Sequence, residues 1–300
     1  MSAGYIYKGV MPMITIIHHI VQHVHDLQRT TRMYLELGLP VIPLSSTNAF
    51  VLAPNGGLLL QHSPSTQPAS TEVHAPGWTH LCIQVPTMSR AVTTCRNHTM
   101  IMQSAPVDLR TGHLYVYGRD SDKTLIEIEE VPYTPFSYPI WLGHMACVSE
   151  DVARLAHFYA SLIGGEVVNP GVIGPNPAYD QVIGFNQARL HPVWIKRLNL
   201  TIELWQFVNP PSPIRTQPVA DALGYTSVAY VSDNLVEDAQ RCVALGAQIL
   251  STTANHVALR DCDGNRMDLY TSDHPLIRAT GPCYHPEVLA ENARHWRPRP

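Results

Sequence analysis

The chain has 300 residues, of which 45% are hydrophobic, so it can form one large domain or two ordinary ones with substantial cores. Its formal net charge of -4 and isoelectric point near 6.4 argue against nucleic acid and anionic membrane surfaces as partners and favour a small molecule. The six cysteines include no C-x-x-C pair. With no secretory signal and no long apolar run, the sequence leads us to expect a cytoplasmic protein.

The first predicted element is a short apolar strand, IIHHIVQHV from Ile16, which carries His19. Asp26 is placed to cap a helix that stops at Gly38. Further β-rich segments follow, and the last of them, GGLLLQHSP, contains Gln61 and no carboxylate. This order of strand, helix and strands defines a module.

Three further modules repeat the order. Their first strands are GWTHLCIQV, WLGHMACVS and GYTSVAYVS, which begin at Gly77, Trp141 and Gly224. His80 and His144 stand at the position of His19, and the fourth module has Ser227 there. A polar residue repeated in apolar strands is costly to bury unless a partner satisfies it, so these histidines are candidate ligands.

The last strands of modules 2, 3 and 4 carry an acidic residue at matching positions: Glu127, Glu203 and Asp268. Between modules 2 and 3 lies the Pro- and aromatic-rich segment PYTPFSYPI, typical of a domain boundary. We therefore predict an N-terminal domain over residues 1–132 with modules 1 and 2. A C-terminal domain with modules 3 and 4 is predicted over 140–272, followed by a Pro-rich tail over 273–300.

A βαβββ unit repeated four times, with His in its first strand and an acidic residue in its last, resembles the vicinal oxygen chelate superfamily. This superfamily includes glyoxalase I, methylmalonyl-CoA epimerase, fosfomycin and bleomycin resistance proteins and the type I extradiol dioxygenases. The resemblance covers about residues 14 to 272. It implies an α+β fold in which four βαβββ modules pair into two open mixed β-barrels, the glyoxalase/bleomycin resistance/dioxygenase fold. It also implies a divalent metal held by the first and last strands of two paired modules.

With modules 1 and 2 paired, the resemblance implies His19, His80 and Glu127 as metal ligands. Two imidazoles and one carboxylate with open positions form the facial triad of non-haem Fe(II) oxygenases, although Mn, Co, Ni or Zn also suit such ligands. The fourth ligand position falls at Leu59 or Gln61, of which only Gln61 can coordinate.

Modules 3 and 4 would offer His144, Glu203, Ser227 and Asp268, and we expect this second domain to be vestigial or structural because Ser227 replaces a strong ligand. The other pairing, of module 2 with 3 and of module 1 with 4, stays open. It would assemble the complete two-His, two-Glu set of glyoxalase I: His80, Glu127, His144 and Glu203.

Strand residues alternate between faces, so His23 and Gln84 lie four residues beyond a candidate ligand on the same face. We predict His23, Tyr115 and Tyr117 as catalytic groups that orient substrate or move protons, and Gln61 and Gln84 as substrate-binding groups.

These features predict a non-haem Fe(II) dioxygenase that uses O₂ on a small aromatic or enolisable substrate with vicinal oxygens. A glyoxalase- or epimerase-like metal-dependent lyase or isomerase is one alternative, and a metal-free small-molecule binding or resistance protein is another. A homo-oligomer stays open, although four modules in one chain can complete two barrels without a partner.

Overall fold

The computed structural model describes residues 14–68, 72–131, 139–196, 199–215 and 221–281. Module 1 contains β1 (Ile14–Val24), α1 (Leu27–Leu37), β2 (Val41–Pro43), β3 (Asn48–Ala53) and β4 (Gly56–His62). Module 2 contains β5 (Gly77–Val85), α2 (Met88–Asn97), β6 (Ile101–Met102), β7 (Val107–Asp108), β8 (Leu114–Arg119) and β9 (Leu125–Glu130). The predicted boundary segment falls mostly outside the described residues.

Module 3 contains β10 (Trp141–Val148), α3 (Val152–Ile163), β11 (Glu166–Val168), α4 (Pro177–Ile183), β12 (Arg189–Lys196) and β13 (Thr201–Asn209). Module 4 contains β14 (Gly224–Ser232), α5 (Leu235–Ala244), β15 (Gln248–Thr252), β16 (His256–Arg260) and β17 (Arg266–Thr271). The predicted tail begins with α6 (Pro275–Thr280), and residues 282–300 lie outside the described part. None of the described helices is long and apolar enough to cross a membrane.

The strands form two mixed sheets, each an open barrel wall. One has the order β15-β16-β17-β14-β1-β4-β3-β2, and the other β11-β12-β13-β10-β5-β9-β8-β6, with β7 beside β8. Antiparallel contacts of β1 with β14 and of β5 with β10 join the modules. Module 1 therefore pairs with module 4 and module 2 with module 3, and the expected pairing of 1 with 2 and 3 with 4 is wrong. Linker length is a weak guide to pairing because the entropy of loop closure grows slowly with length.

The main core lies between the sheets and the helices. Along β5, Leu81 and Ile83 point to this side and are fully buried, together with Cys95 of α2. The alternate positions, occupied by His80 and Gln84, point to the barrel side. The alternation of the strand thus separates an apolar packing face from a polar barrel face.

Two buried asparagines join the barrels reciprocally. Asn55 of module 1 donates from Nδ2 to the Leu142 carbonyl at 2.7 Å and accepts from the Leu142 N–H at 3.0 Å. Asn199 of module 3 does the same with Ile17, at 2.8 Å and 3.0 Å. Each amide also donates to the other's backbone carbonyl. The two side chains act as one cross-link related by the internal repeat.

Replacing Asn199 with Ala should lower the free energy of unfolding by about 2–4 kcal/mol, because the buried Ile17 amide and carbonyl lose their partners. Asn55→Ala should lower the free energy of unfolding by a similar amount. The double variant should lower it by less than the sum of the two single decreases, because both side chains belong to one hydrogen-bond network. Urea denaturation measures this. Asn97→Ala, at an exposed helix end, is the matched control and should change stability little.

Candidate metal centre

Four side chains from four neighbouring strands meet inside the barrel of modules 2 and 3. His80 lies at the middle of β5 and His144 on the antiparallel strand β10, where Ala146 faces His80. Glu127 of β9 pairs with Cys82 of β5, and Glu203 of β13 pairs with Ala146 of β10, each in parallel register. Backbone hydrogen bonds of the sheet, and not loops, therefore set the position of each group.

The ligand atoms of these four residues all lie within 4.8 Å of one another. His144 Nε2 lies 2.9 Å from Glu127 Oε2 and 3.0 Å from Glu203 Oε2. His80 Nε2 lies 3.3 Å and 3.5 Å from the same two oxygens. Among the described residues this is the group of His, Cys, Asp and Glu side chains that can hold a metal ion.

The carboxylate oxygens are suited to binding a cation. Oε2 of Glu127 and Oε2 of Glu203 are buried and make no hydrogen bond of proper geometry in the described part of the chain, although imidazole nitrogens lie close by. Unpaired buried carboxylate oxygens are costly, and a divalent ion between two imidazoles and two carboxylates would satisfy them. The donor set of nitrogen and oxygen atoms suits Mn, Fe, Co, Ni or Zn.

The charges of His144, Glu127 and Glu203 depend on one another. Burial opposes the charges of Glu127 and Glu203, but the cationic His144 holds the pKa of each carboxyl below its ordinary value. Burial likewise opposes a charged His144, yet the charges of Glu203 and Glu127 raise its pKa well above the ordinary value. Without a metal, a proton on His144 therefore partly balances the two carboxylates.

Thr79 orients His80. Its Oγ1 lies 3.2 Å from His80 Nδ1 and donates to the Ala146 carbonyl at 3.4 Å. Because the hydroxyl proton is directed to that carbonyl, the hydroxyl oxygen can accept from an N–H at Nδ1. This tautomer leaves the lone pair of His80 on Nε2, directed at the two carboxylates, as a metal ligand requires.

Gly143 permits the close approach of β10 to β5. The antiparallel register is irregular between Leu142 and Met145, next to His144. A Cβ at Gly143 would lie 2.9 Å from Cys82 Sγ, closer than real contacts allow. The bulge and the glycine together let His144 reach the position between the two glutamates.

A second polar group lies beyond Cys82 on the same face of the sheet. Glu129 accepts from Gln84 Nε2 at 2.7 Å and from the Tyr115 hydroxyl at 3.0 Å, and its Oε1 lies 2.6 Å from His113 Nδ1. Burial, reinforced by the Glu127 charge, raises the pKa of the Cys82 thiol well above its ordinary value, so Cys82 stays neutral between the two groups.

The predicted catalytic tyrosines therefore have different surroundings. The Tyr117 hydroxyl lies 3.3 Å from His80 Nε2, within the candidate metal centre, whereas Tyr115 is bonded to Glu129. Gln84, predicted to bind substrate, is also bonded to Glu129. The catalytic and substrate-binding roles of these residues stay predictions.

His19 is not part of the cluster, and its expected association with His80 and Glu127 is corrected by the strand pairing. It lies in the other sheet, on β1, with its Nδ1 2.9 Å from His18 Nδ1. Burial, reinforced by the neighbouring His18, lowers the pKa of His19 to about 3, so its imidazole is neutral.

Among the described residues of modules 1 and 4, no full set of metal ligands surrounds His19. Leu59 stands in register where Glu203 stands in the other barrel, because Leu59 pairs with Val21 as Glu203 pairs with Ala146. Asp268 accepts from the Ser227 hydroxyl, and its Oδ1 lies 2.8 Å from His256 Nε2. The carboxylate at the register position of Glu127 in this barrel is thus already satisfied by side chains.

His23 and Gln61 also lie away from the candidate metal centre. They face each other across β1 and β4. His23 lines a separate cavity between the barrels. The expected position of both groups in the cavity of His80 is therefore corrected, again because module 1 belongs to the other sheet.

Sequence reasoning brought His144 and Glu203 together with His80 and Glu127 only in the alternative module pairing. It missed Glu129, His113 and Trp194, whose Nε1 donates to Glu203 Oε1. Glu129 could have been found from strand parity, since it follows Glu127 by two residues on one face. No sequence signal marks His113 or Trp194, because their roles depend on contacts across strands.

No protein-family profile matches the sequence, and no curated protein sequence matches it. Solved structures do match. Glyoxalase I from Zea mays superposes with a TM-score of 0.64 at 16% identity, over 88% of this chain and 95% of that one. A proposed dioxygenase from Bacillus subtilis gives a TM-score of 0.58 at 13% identity, over 88% and 87%. At such identities the likeness shows the fold alone, and the predicted vicinal oxygen chelate fold is confirmed.

His144→Ala should abolish stoichiometric binding of a divalent metal, because it removes the imidazole between both glutamates. His19→Ala should retain it, since His19 lies in the other barrel. Elemental analysis after loading with Zn²⁺ or Fe²⁺ and desalting measures both, with circular dichroism as the control for folding. Loss of metal in His19→Ala with retention in His144→Ala would restore the pairing expected from sequence.

Metal binding should release about one proton at neutral pH, because the raised pKa of His144 keeps it protonated until the metal displaces the proton. Below that pKa, affinity should fall about tenfold for each unit of pH. Calorimetric titration in buffers of different ionisation enthalpy counts the released protons. Metal uptake without proton release would contradict the assignment of His144 as the protonated group.

Proposed function

We propose that the protein is a metal-dependent lyase or isomerase that moves a proton next to a carbonyl in a small molecule with vicinal oxygens. The observation that carries this proposal is the four-residue group of two imidazoles and two carboxylates around one point. This is the set implied by the alternative module pairing. The fold shared with glyoxalase I from Zea mays supports the same proposal.

The set of donor atoms favours proton transfer over the O₂ chemistry expected of a facial triad. The dioxygenase hypothesis rested on a single carboxylate, whereas here Glu127 and Glu203 both point their Oε2 atoms at the imidazoles. Four protein ligands leave fewer positions for substrate and O₂ together. A divalent ion in this site would act as a Lewis acid that holds two substrate oxygens and stabilises negative charge developing on them.

The two glutamates have different surroundings and so different proposed roles. Trp194 Nε1 donates to Glu203 Oε1 at 2.8 Å, which fixes that carboxylate. Glu127 faces Tyr117 across the β8–β9 pair. We assign Glu127 as the group that accepts the proton from carbon, because its carboxylate keeps its charge at neutral pH and lies beside the hydroxyl that can position the substrate.

Tyr117 is the proposed hydrogen-bond donor to a substrate oxygen. Burial, reinforced by the charges of Glu127 and Glu203, raises the pKa of its phenol well above the ordinary value. The hydroxyl therefore keeps its proton and donates. At 3.3 Å from His80 Nε2 it lies beside the positions that substrate oxygens would take.

Glu129, Tyr115 and His113 would form the wall of the substrate cavity. The carboxylate of Glu129 holds the Tyr115 hydroxyl and faces His113 Nδ1, so both rings are fixed relative to the sheet. Glu129 follows Glu127 by two residues, a rise of about 7 Å along the strand. A small substrate between the two carboxylates would contact both groups.

A dioxygenase is the second candidate, with Fe(II) as its metal. It is favoured by the fold shared with the proposed dioxygenase from Bacillus subtilis. Oxygen consumption separates the two candidates because proton transfer needs no O₂.

The metal-loaded protein should exchange carbon-bound hydrogen of hydroxyacetone or a related α-hydroxycarbonyl compound with D₂O in the absence of O₂. Glu127→Gln should slow the exchange by about 10²-fold or more, since it removes the proton acceptor. Tyr117→Phe should slow it by about tenfold, through loss of one buried hydrogen bond to the substrate. Proton NMR measures the exchange.

His19→Ala is the matched control and should exchange hydrogen at the wild-type rate, because His19 lies in the other barrel. Metal content is measured for every variant so that loss of the ion is told apart from loss of the proton acceptor. Oxygen uptake by the Fe(II)-loaded protein without anaerobic exchange would overturn the lyase or isomerase proposal in favour of the dioxygenase.

A further inference from the structure

A cavity of about 610 Å³ lies between the two barrels, and no member of the candidate metal centre lines it. Its walls include the first residues of β5 and β14, and the two hairpin turns that join β8 to β9 and β16 to β17. These elements belong to modules 2 and 4, which are related by the internal repeat. The volume is typical of a site for a small molecule.

The lining of this cavity is strongly basic. Five cationic side chains contribute to it: Arg119, Lys123, Arg215, Arg260 and Arg266. The whole chain has 20 Lys and Arg residues and a net charge of -4, so a quarter of its fixed cations line one cavity. Two carboxylates, Glu72 and Asp221, line it as well. A concave wall with an excess of one charge concentrates ions of the opposite sign.

Two of the guanidinium groups are held at equivalent positions of the repeat. Arg119 Nη1 donates to the Lys123 carbonyl, and Arg260 Nη1 donates to the Gly264 carbonyl, both at 3.1 Å across their hairpin turns. A guanidinium has five N–H donors, so one such bond fixes its position and leaves others for a ligand. These two repeated arginines thus stabilise their hairpin turns, and both also line one cavity as cations.

A third arginine is fixed from the other side. Arg215 Nη2 donates to Asn265 Oδ1 at 2.6 Å. Arg266, with its side chain 52% exposed, lies 3.5 Å from Asp268 Oδ2. Partly buried, Arg119 has a pKa below the ordinary value because burial opposes its charge more than Glu72 and Asp120 support it. The five cationic side chains of the lining outnumber its two carboxylates, so the cavity keeps a net positive charge.

We infer that this cavity binds a small molecule carrying at least two anionic groups, phosphoryl or carboxylate. Guanidinium groups match the geometry of both kinds of anion through paired N–H donors. Arginines on two equivalent turns supply cations for two separate anionic groups of one ligand. The site is distinct from the candidate metal centre and does not depend on the proposed function.

Calorimetric titration with pyrophosphate and with citrate tests this inference. Arg119→Gln and Arg260→Gln should each weaken the binding about tenfold, since each removes a charge-assisted hydrogen bond. Lys123→Gln, at an exposed turn position, removes a cation without removing a hairpin bond of an arginine and should also weaken binding. Arg90→Gln, on an exposed face of α2, is the matched control and should bind like the wild type. Added NaCl should weaken the binding.

Both probes also chelate metals, so the titration is repeated on His144→Ala. Equal affinity in wild type and His144→Ala, with loss in the arginine variants, supports the cavity site. Binding that His144→Ala abolishes and the arginine variants retain would place the anion at the metal and overturn the inference. Absence of binding, or the same loss in Arg90→Gln, would overturn it too. The relative affinity of pyrophosphate and citrate distinguishes phosphoryl from carboxylate ligands.

Discussion

The antiparallel pairing of β5 with β10 is the constraint on which the candidate metal centre depends. It sets His80 and His144 on adjacent strands, and the parallel strands outside them bring Glu127 and Glu203 to the same level. Two buried carboxylates would repel each other in the low dielectric of a barrel interior. The imidazoles between them reduce that repulsion, and a divalent ion would do so more completely.

Local structure was predictable from the sequence because its causes are local. Asp26 caps its helix as predicted, by accepting from the Arg29 N–H, and Asp151 caps α3 in the same way through the Arg154 N–H. The positions of His80 and Glu127 on one face follow from strand parity within a single module. Metal binding by these two residues stays a prediction.

The partner module was not predictable. Whether module 1 or module 3 lies beside module 2 depends on contacts between strands far apart in the chain, and linker lengths constrain these weakly. Asn55 and Asn199, which fix the two barrels to each other, lie in short loops without a sequence pattern. Of the two candidate partners of His80, His144 lies in the same group of side chains, whereas His19 lies in the other sheet.

The two barrels are related by the internal repeat but have different interiors. Thr79 lies where the barrel of modules 2 and 3 meets the basic cavity. Its side chain contacts His80 Nδ1, and the residue lines the cavity. A bound anion that attracted the Thr79 hydroxyl would alter the hydrogen bond that fixes the His80 tautomer, and with it the nitrogen offered to a metal. Because linkage is reciprocal, a metal on His80 would change the affinity for the anion by the same factor. One hydroxyl would thus connect the candidate metal centre with the inferred anion site.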